Sequence, residues 1–243
     1  MISRLLSLGL PGLLLVAMAL IHFFRRQPTV YWLYAILFLF PPLGAVIYLA
    51  VEALPELFDP GAFRFLERSR RLREVETAIR QNPSAGNYEE LGLLRLDKHD
   101  WAGARSCFDR ALAQRTDSLD PFYRRALAEV ELGDFAAARA DLERAVSADA
   151  TYDFQRAAGL LAYADWKTGN LDRAQRLFEQ VLRTSTLTET QLHYAQFLAE
   201  NGRREEAKQQ AIRIRDKRTA MPGFQRRRER KLFWQNSALL RKL

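Results

Sequence analysis

AGNYEELGLLRLDKHDWAGARSCFDRALAQRTDS, residues 85–118, and LDPFYRRALAEVELGDFAAARADLERAVSADATY, residues 119–152, are one pattern written twice at a spacing of 34 residues. Tyr88 falls on Phe122, Gly92 on Ala126, Asp100 and Trp101 on Asp134 and Phe135, Ala104 on Ala138, and Ala111 on Ala145. Small and aromatic residues kept in register at such a distance mark a repeated unit whose faithful positions pack helices together.

The aromatic-x-x-Leu-Gly…Asp-aromatic…Ala-x-x-x-Phe-x-x-Ala pattern resembles the tetratricopeptide repeat, a helix-turn-helix unit that stacks into a curved solenoid. A third unit follows from about Gln155, with Leu161-Ala162, Gly169-Asn170-Leu171, Ala174 and Phe178 in register; its spacing is 36, so the turn before it holds two extra residues. A fourth starts near Thr188, with Tyr194-Ala195, Asn201-Gly202 and Ala207, then Ala211 where an aromatic is usual. The expected units are 85–118, 119–152, 155–187 and 188–220 within a solenoid over 85–220. Upstream, 61–84 reads as a helix with Phe65, Leu72, Val75 and Ile79 on one stripe, stopped by Asn82-Pro83. It is either a degenerate half-repeat covering the solenoid's first edge or a solvated stalk.

The first 60 residues are of another kind. Leu5–Phe24 and Val30–Val51 are free of acidic and basic side chains, and each could cross about 30 Å of hydrocarbon as a helix. The five residues between them, Arg25 to Thr29, predict an antiparallel hairpin. A cleaved signal peptide with Arg4 at its start and Ala17-Met18-Ala19 as cleavage site is the competing account of the first run; the second run weighs against it. The second run, with its Phe-Pro-Pro-Leu-Gly-Ala-Val-Ile-Tyr core, resembles the membrane-anchor module that precedes phospholipase D-type cardiolipin synthases. That resemblance brings no catalysis, because none of His22, His99 or His193 is followed two residues on by lysine. Arg4 and the arginines from Arg64 to Arg73 outnumber Arg25 and Arg26, which places both termini and the repeats in the cytoplasm. The expected fold is therefore all-α: a two-helix transmembrane hairpin in a bacterial inner membrane, an α-α superhelical solenoid, and a basic C-terminal helix over 221–243.

The formal net charge is +8, but residues 203–243 hold 14 Lys and Arg against 4 Asp and Glu. The rest of the chain is thus close to neutral, which does not describe a nucleic-acid-coating protein. Arg226, Arg227, Arg228, Arg230 and Lys231 make the tail a candidate anionic surface, either as the charged face of a capping helix or in contact with anionic lipid. Cys107 is the only cysteine, which excludes an internal disulfide and a thiolate metal cage. No catalytic constellation, metal-ligand spacing or phosphate loop is present, so neither enzyme activity nor a cofactor is expected.

The resemblance implies a concave groove lined by fixed positions of each first helix. Carried over, these are Glu89, Leu93 and Leu96; Tyr123, Arg124, Leu127 and Val130; Tyr163, Trp166 and Lys167; and His193 and Gln196. Lysine and asparagine clamps for acidic C-termini are missing from these places. An aromatic concavity beside Arg124 and Lys167 suits an amphipathic helix or an extended apolar peptide with a few acidic residues. The expected role is a membrane-anchored, non-catalytic scaffold for a membrane-associated protein or peptide partner. The alternatives are a lipid-handling protein acting through hairpin and tail, and an envelope-assembly adaptor with its solenoid outside.

Overall fold

The computed structural model describes residues 9–26, 31–38, 41–53, 60–114 and 118–243, and among them every regular element is helical. Contacts divide the chain into two units, Met1–Arg71 and Leu72–Leu243.

In the first unit α1 (Gly9–Arg26), α2 (Tyr31–Phe38), α3 (Pro41–Tyr48) and a π-helical turn (Leu49–Ala53) are built around Tyr48. Val16, Ala19, Phe23, Ile36 and Ala45 are buried with it. The Tyr48 ring meets His22 at 5.7 Å and Trp32 at 5.4 Å, both edge-on. A buried phenol needs a polar partner, and the Tyr48 hydroxyl has one in His22 Nδ1 at 2.8 Å. Trp32 Nε1 donates to Glu52 Oε1 at 3.0 Å.

This arrangement corrects the expectation of a two-span inner-membrane hairpin. No helix among the described residues is long and apolar enough to cross a membrane. In the second apolar run the described elements are α2, of 8 residues, and α3, of 8 residues continued by the 5-residue π-helical turn; at about 1.5 Å of rise per residue neither reaches the roughly 30 Å required. Pro41 opens α3, a place where its missing N–H costs nothing because the first turn leaves that donor unsatisfied anyway. α1 ends in Arg25 and Arg26 and uses one face for packing around Tyr48. The localisation and the topology drawn from flanking charge fall with the spans. Residues 5–8 of the first run, 27–29 of the connection, and 30 and 39–40 of the second run lie outside the described residues. The outer face of α1 still shows Leu14, Met18, Ile21 and Phe24 exposed.

α4 (Pro60–Gln81) leads into the second unit. From Leu72 onward its apolar stripe, with Val75 and Ile79, shares a cluster with Leu91, Leu94 and Cys107, so this part of α4 covers the edge of the first repeat. Burial holds the Cys107 thiol above its ordinary range, which leaves it a packed hydrophobe rather than a nucleophile.

Four helix pairs follow: α5 (Ala85–Asp97) with α6 (Trp101–Ala113), α7 (Asp120–Leu132) with α8 (Phe135–Ala148), α9 (Arg156–Lys167) with α10 (Leu171–Leu182), and α11 (Thr188–Glu200) with α12 (Arg204–Ala220). The repeat spacing explains how they meet. Ala104, Ala138, Ala174 and Ala207 occupy one place in each second helix and are fully buried. A methyl is all that fits there, so the paired backbones come close. Four residues on stand Phe108, Leu142, Phe178 and Ala211, also buried. In the first pair the approach is closer still, since a Cβ added to Gly92 would stand 2.7 Å from the Phe108 ring.

The turns are as regular as the seam. Asp100 and Asp134 cap the second helices of units one and two, accepting from Gly103 N at 3.0 Å and Ala137 N at 3.3 Å. This satisfies one of the orphan donors of each first turn. Just before them the chain turns left-handed at Gly133, φ +79, and at the equivalent His99, φ 59. The two extra residues before α9 are taken up in another left-handed stretch, Asp153, Phe154 and Gln155, with φ of 48, 54 and 66. The Tyr123 hydroxyl donates to Asp153 and Thr184 Oγ1 donates to Gln155 Oε1, which hold that stretch at both ends.

Neighbouring repeats are joined by an ion pair that recurs at the repeat spacing. Arg105 Nε lies 3.4 Å from Glu129, and Arg139 Nε lies 3.2 Å from Asp165. Both carboxylates are buried. Arg125 adds a two-pronged bond to Asp141, at 2.7 and 2.8 Å, and reaches Asp109 at 2.7 Å. Burial, with the Asp141 charge beside it, pushes Glu129 up to about 7, against the opposing pull of Arg125 and Arg105.

At the far end α13 (Gly223–Arg228) and α14 (Arg230–Leu240) close the chain. Phe233 is buried with Leu192 and Ile214, and Asn236 Nδ2 donates to Ala211 O at 2.9 Å. Ala211, small where the other units have a bulky residue, thus receives α14 against its backbone.

Two sets of stability measurements check this account. Gly133→Ala should lower unfolding stability by about 1 kcal/mol, a purely backbone cost, because nothing lies within 4 Å of the added methyl. Gly86→Ala, equally uncrowded but at an ordinary helical φ, should instead raise it by about 0.5 kcal/mol; urea titration of both separates the two effects. For Glu129 the folded pKa lies above the unfolded one, so its contribution is fully present below about 4.5 and is lost as pH rises through about 7. Stability should fall by about 1–3 kcal/mol across that window, and Glu129→Gln should flatten the fall when urea midpoints are compared pH by pH.

Candidate functional site

The first helices of the four units line a concavity of about 440 Å³. Its apolar floor is Leu93, Leu94 and Leu96 of α5, Leu127 and Val130 of α7, and Leu160 of α9, with Trp101 entering from the start of α6. Its charged rim is Glu90, Asp97, Arg124, Glu131, Arg156 and Glu189. The register is regular: Glu90, Arg124 and Leu160 are equivalent, as are Leu93 and Leu127, Leu96 and Val130, and Asp97 and Glu131. Residues three, four and seven apart share one helix face, so each first helix presents one such stripe.

Acids outnumber bases on this rim by four to two, and both arginines are held by acids. Arg124 Nε donates to the two oxygens of Asp120 at 3.2 Å each. Asp120 also accepts from the Tyr152 hydroxyl at 2.8 Å. Arg156 Nε donates to Glu189 Oε2 at 2.7 Å. Burial raises the Glu189 carboxyl, but the Arg156 bond and charge more than offset it and hold the group below its ordinary value.

Of the residues expected from the sequence, Leu93, Leu96, Arg124, Leu127 and Val130 meet in this concavity. Tyr123 does not: it is fully buried in the core around Ala126, Leu142 and Leu161, one face of the helix away. Glu89, at the equivalent place in unit one, is half-buried and also off the lining. Tyr163, Trp166, Lys167 and His193 form a separate block. Tyr163 stacks on His193 at 4.0 Å, the planes 12° apart, and meets Trp166 edge-on at 5.5 Å. Trp166 is only 6% exposed and packs with Phe178, Tyr194 and Phe197.

Lys167 Nζ lies 3.5 Å from the centre of the Trp166 ring and 3.7 Å from Glu200. Its charge is engaged there rather than offered to the groove. Burial pushes His193 down to about 4, with Lys167 and Arg156 acting in the same direction against Glu189, so the ring is neutral at pH 7. Gln196 is half-buried on the same helix and outside the lining. The basic residues Arg226, Arg227, Arg228, Arg230 and Lys231 are all exposed, at the other end of the unit.

The sequence reading missed Glu90, Leu94, Asp97, Trp101, Glu131, Arg156, Leu160 and Glu189. Glu90, Leu94 and Asp97 flank Leu93 at helical spacing, so extending the stripe from that residue finds them. At the 36-residue spacing already given to the third unit, Leu160 falls on Arg124 and Arg156 on Asp120.

A tetratricopeptide repeat model matches residues 119–152. No curated protein sequence matches the chain. Among solved structures, MamA from Desulfovibrio magneticus RS-1 superposes with a TM-score of 0.58 at 16% identity, over 70% of this chain and 97% of that one. YrrB, described as a tetratricopeptide-repeat protein with an unusual peptide-binding site, gives 0.55 at 21% identity over 64% and 81%. PilW, described as a type IV pilus biogenesis factor, gives 0.52 at 17% over 86% and 94%. At these identities the likeness is one of fold. Residues 119–152 are a tetratricopeptide repeat, and the repeats about them form a solenoid of the tetratricopeptide-repeat fold.

Proposed function

We propose that the solenoid is a non-catalytic docking module whose concave face takes an apolar peptide segment carrying basic residues. One observation carries this reading: an open apolar floor about 440 Å³ in volume whose rim carries four carboxylates against two arginines, Arg156 being held by Glu189 of that rim and Arg124 by Asp120 outside it, so the rim as a whole is acidic. Apolar side chains of a bound segment would lie on Leu93, Leu96, Leu127 and Val130. Lysine or arginine beside them would meet Glu131 and its neighbours, while an acidic segment would face like charge. The partner chemistry is thus the reverse of the acidic peptide that Arg124 and Lys167 suggest in the sequence, because those two cations are occupied. Salt should weaken the interaction, since the rim is open to solvent.

The test is fluorescence polarisation with two labelled amphipathic peptides of identical apolar pattern, one bearing lysine and the other glutamate at the polar positions. The lysine peptide should bind at least about tenfold more tightly at low salt. Leu93 is 39% exposed, so Leu93→Lys together with Glu131→Lys should cut that binding about tenfold or more without unfolding the protein. Equal binding of the two peptides, or no loss in the double variant, defeats the proposal. Trp166→Ala should behave differently, lowering stability by about 3–5 kcal/mol in chemical denaturation as a core deletion.

A further inference from the structure

Several arginines of the solenoid meet carboxylates where helices come together. Arg125 meets Asp141 at 2.7 Å, Arg156 meets Glu189 at 2.7 Å and Arg173 meets Glu143 at 2.7 Å. The C-terminal end departs from this habit. Arg218 near the end of α12, Arg226 of α13 and Arg230 of α14 line one cavity of about 190 Å³, together with Phe233, Trp234 and Ser237. No carboxylate lines it. The Arg218 guanidinium lies 5.8 Å from the centre of the Phe233 ring, and none of the three arginines has an ion pair among the described residues. Asp216 is engaged by Arg215 at 3.1 Å. Ser237 Oγ donates to Phe233 O at 2.8 Å.

Three arginines lining one small cavity repel one another, and arginine cannot relieve this by losing a proton. An anion with several oxygens relieves it best, because each guanidinium presents a fork of donors matched to two oxygens. The wall beside the arginines is aromatic: Phe233 is buried, while Trp234 is 68% exposed and offers a face for a planar group. The volume is below the roughly 300–1,000 Å³ of sites for drug-sized ligands, which suits a headgroup rather than a whole nucleotide.

We propose that the cavity between α12, α13 and α14 is a binding site for an aryl phosphate monoester, its dianion held by Arg218, Arg226 and Arg230 and its ring set against Trp234. The site is separate from the concave groove. It also divides the basic tail, since Arg227 and Arg228 carry the same charge on the same short helix yet do not line the cavity.

That division supplies the test. Phenyl phosphate, inorganic phosphate and benzoate are titrated into the full chain by isothermal calorimetry at low ionic strength. Phenyl phosphate should bind saturably at one site, about tenfold or more tighter than either of the others. Arg226→Ala with Arg230→Ala should weaken it about tenfold or more, whereas Arg227→Ala with Arg228→Ala should leave it within about twofold. Circular dichroism establishes that both double variants remain folded. Equal losses in the two, or no preference for phenyl phosphate over benzoate, overturns the site and shows only diffuse attraction to a basic tail. A short phosphotyrosyl peptide then distinguishes the source: tighter binding than phenyl phosphate assigns it to a phosphorylated side chain, and equal binding assigns it to a free small molecule. Peptide binding in the groove is measured by its own variants, so either result stands without the other.

Discussion

Helices pack at close range only where no large side chain stands between their backbones, and in this solenoid that condition is met by four alanines at one repeated place. Ala104, Ala138, Ala174 and Ala207 are fully buried, and the bulky residue one turn on, Phe108, Leu142 or Phe178, fills what the alanine leaves open. Dispersion and apolar burial act along the whole seam. Once the pairs are fixed at that distance, the stripes on the first helices must line up, and the concave face is their sum. The groove is therefore a by-product of packing on the opposite side of each helix.

Charge is arranged in the same layered way. Arg105 with Glu129 and Arg139 with Asp165 sit at equivalent places between successive units. Buried carboxylates of this kind add little net stability against a well-packed apolar pair, but removing one partner strands the other. They discriminate between correct and shifted stacking, since a repeat displaced by one turn would bury an acid without its arginine. Before Leu72 a phenol, Tyr48, sits at the centre of the apolar cluster with its hydroxyl bonded to His22.

The seam was legible in the sequence because Ala, Asp and aromatic residues recur at a fixed spacing, and that recurrence has a direct structural cause. The groove was half legible. Leu93, Leu96, Arg124, Leu127 and Val130 follow from register, but Tyr123 and Trp166 are buried and Tyr163 is half-buried against His193: aromatic identity signals burial at least as well as it signals binding. The sign of the rim was misread because a list of cations carries no record of their partners, and Arg124 and Lys167 are engaged by Asp120, Trp166 and Glu200. The apolar runs near the N-terminus misled for another reason. Hydropathy adds along the chain and is indifferent to where helices end, whereas Pro41 opens a separate element within the second run, so that an 8-residue helix precedes it and an 8-residue helix with its π-helical turn follows.

The left-handed stretch Asp153 to Gln155 has a consequence for how such an array can grow. It absorbs two residues at a junction, displays Phe154 to solvent at 86% exposure and leaves the alanine seam undisturbed on both sides. Length is thereby uncoupled from stacking: units can be duplicated, lengthened or trimmed at their junctions while the contacts inside each unit are inherited unchanged. A repeat array so jointed evolves by its turns, and its period is free to drift as long as its seam does not.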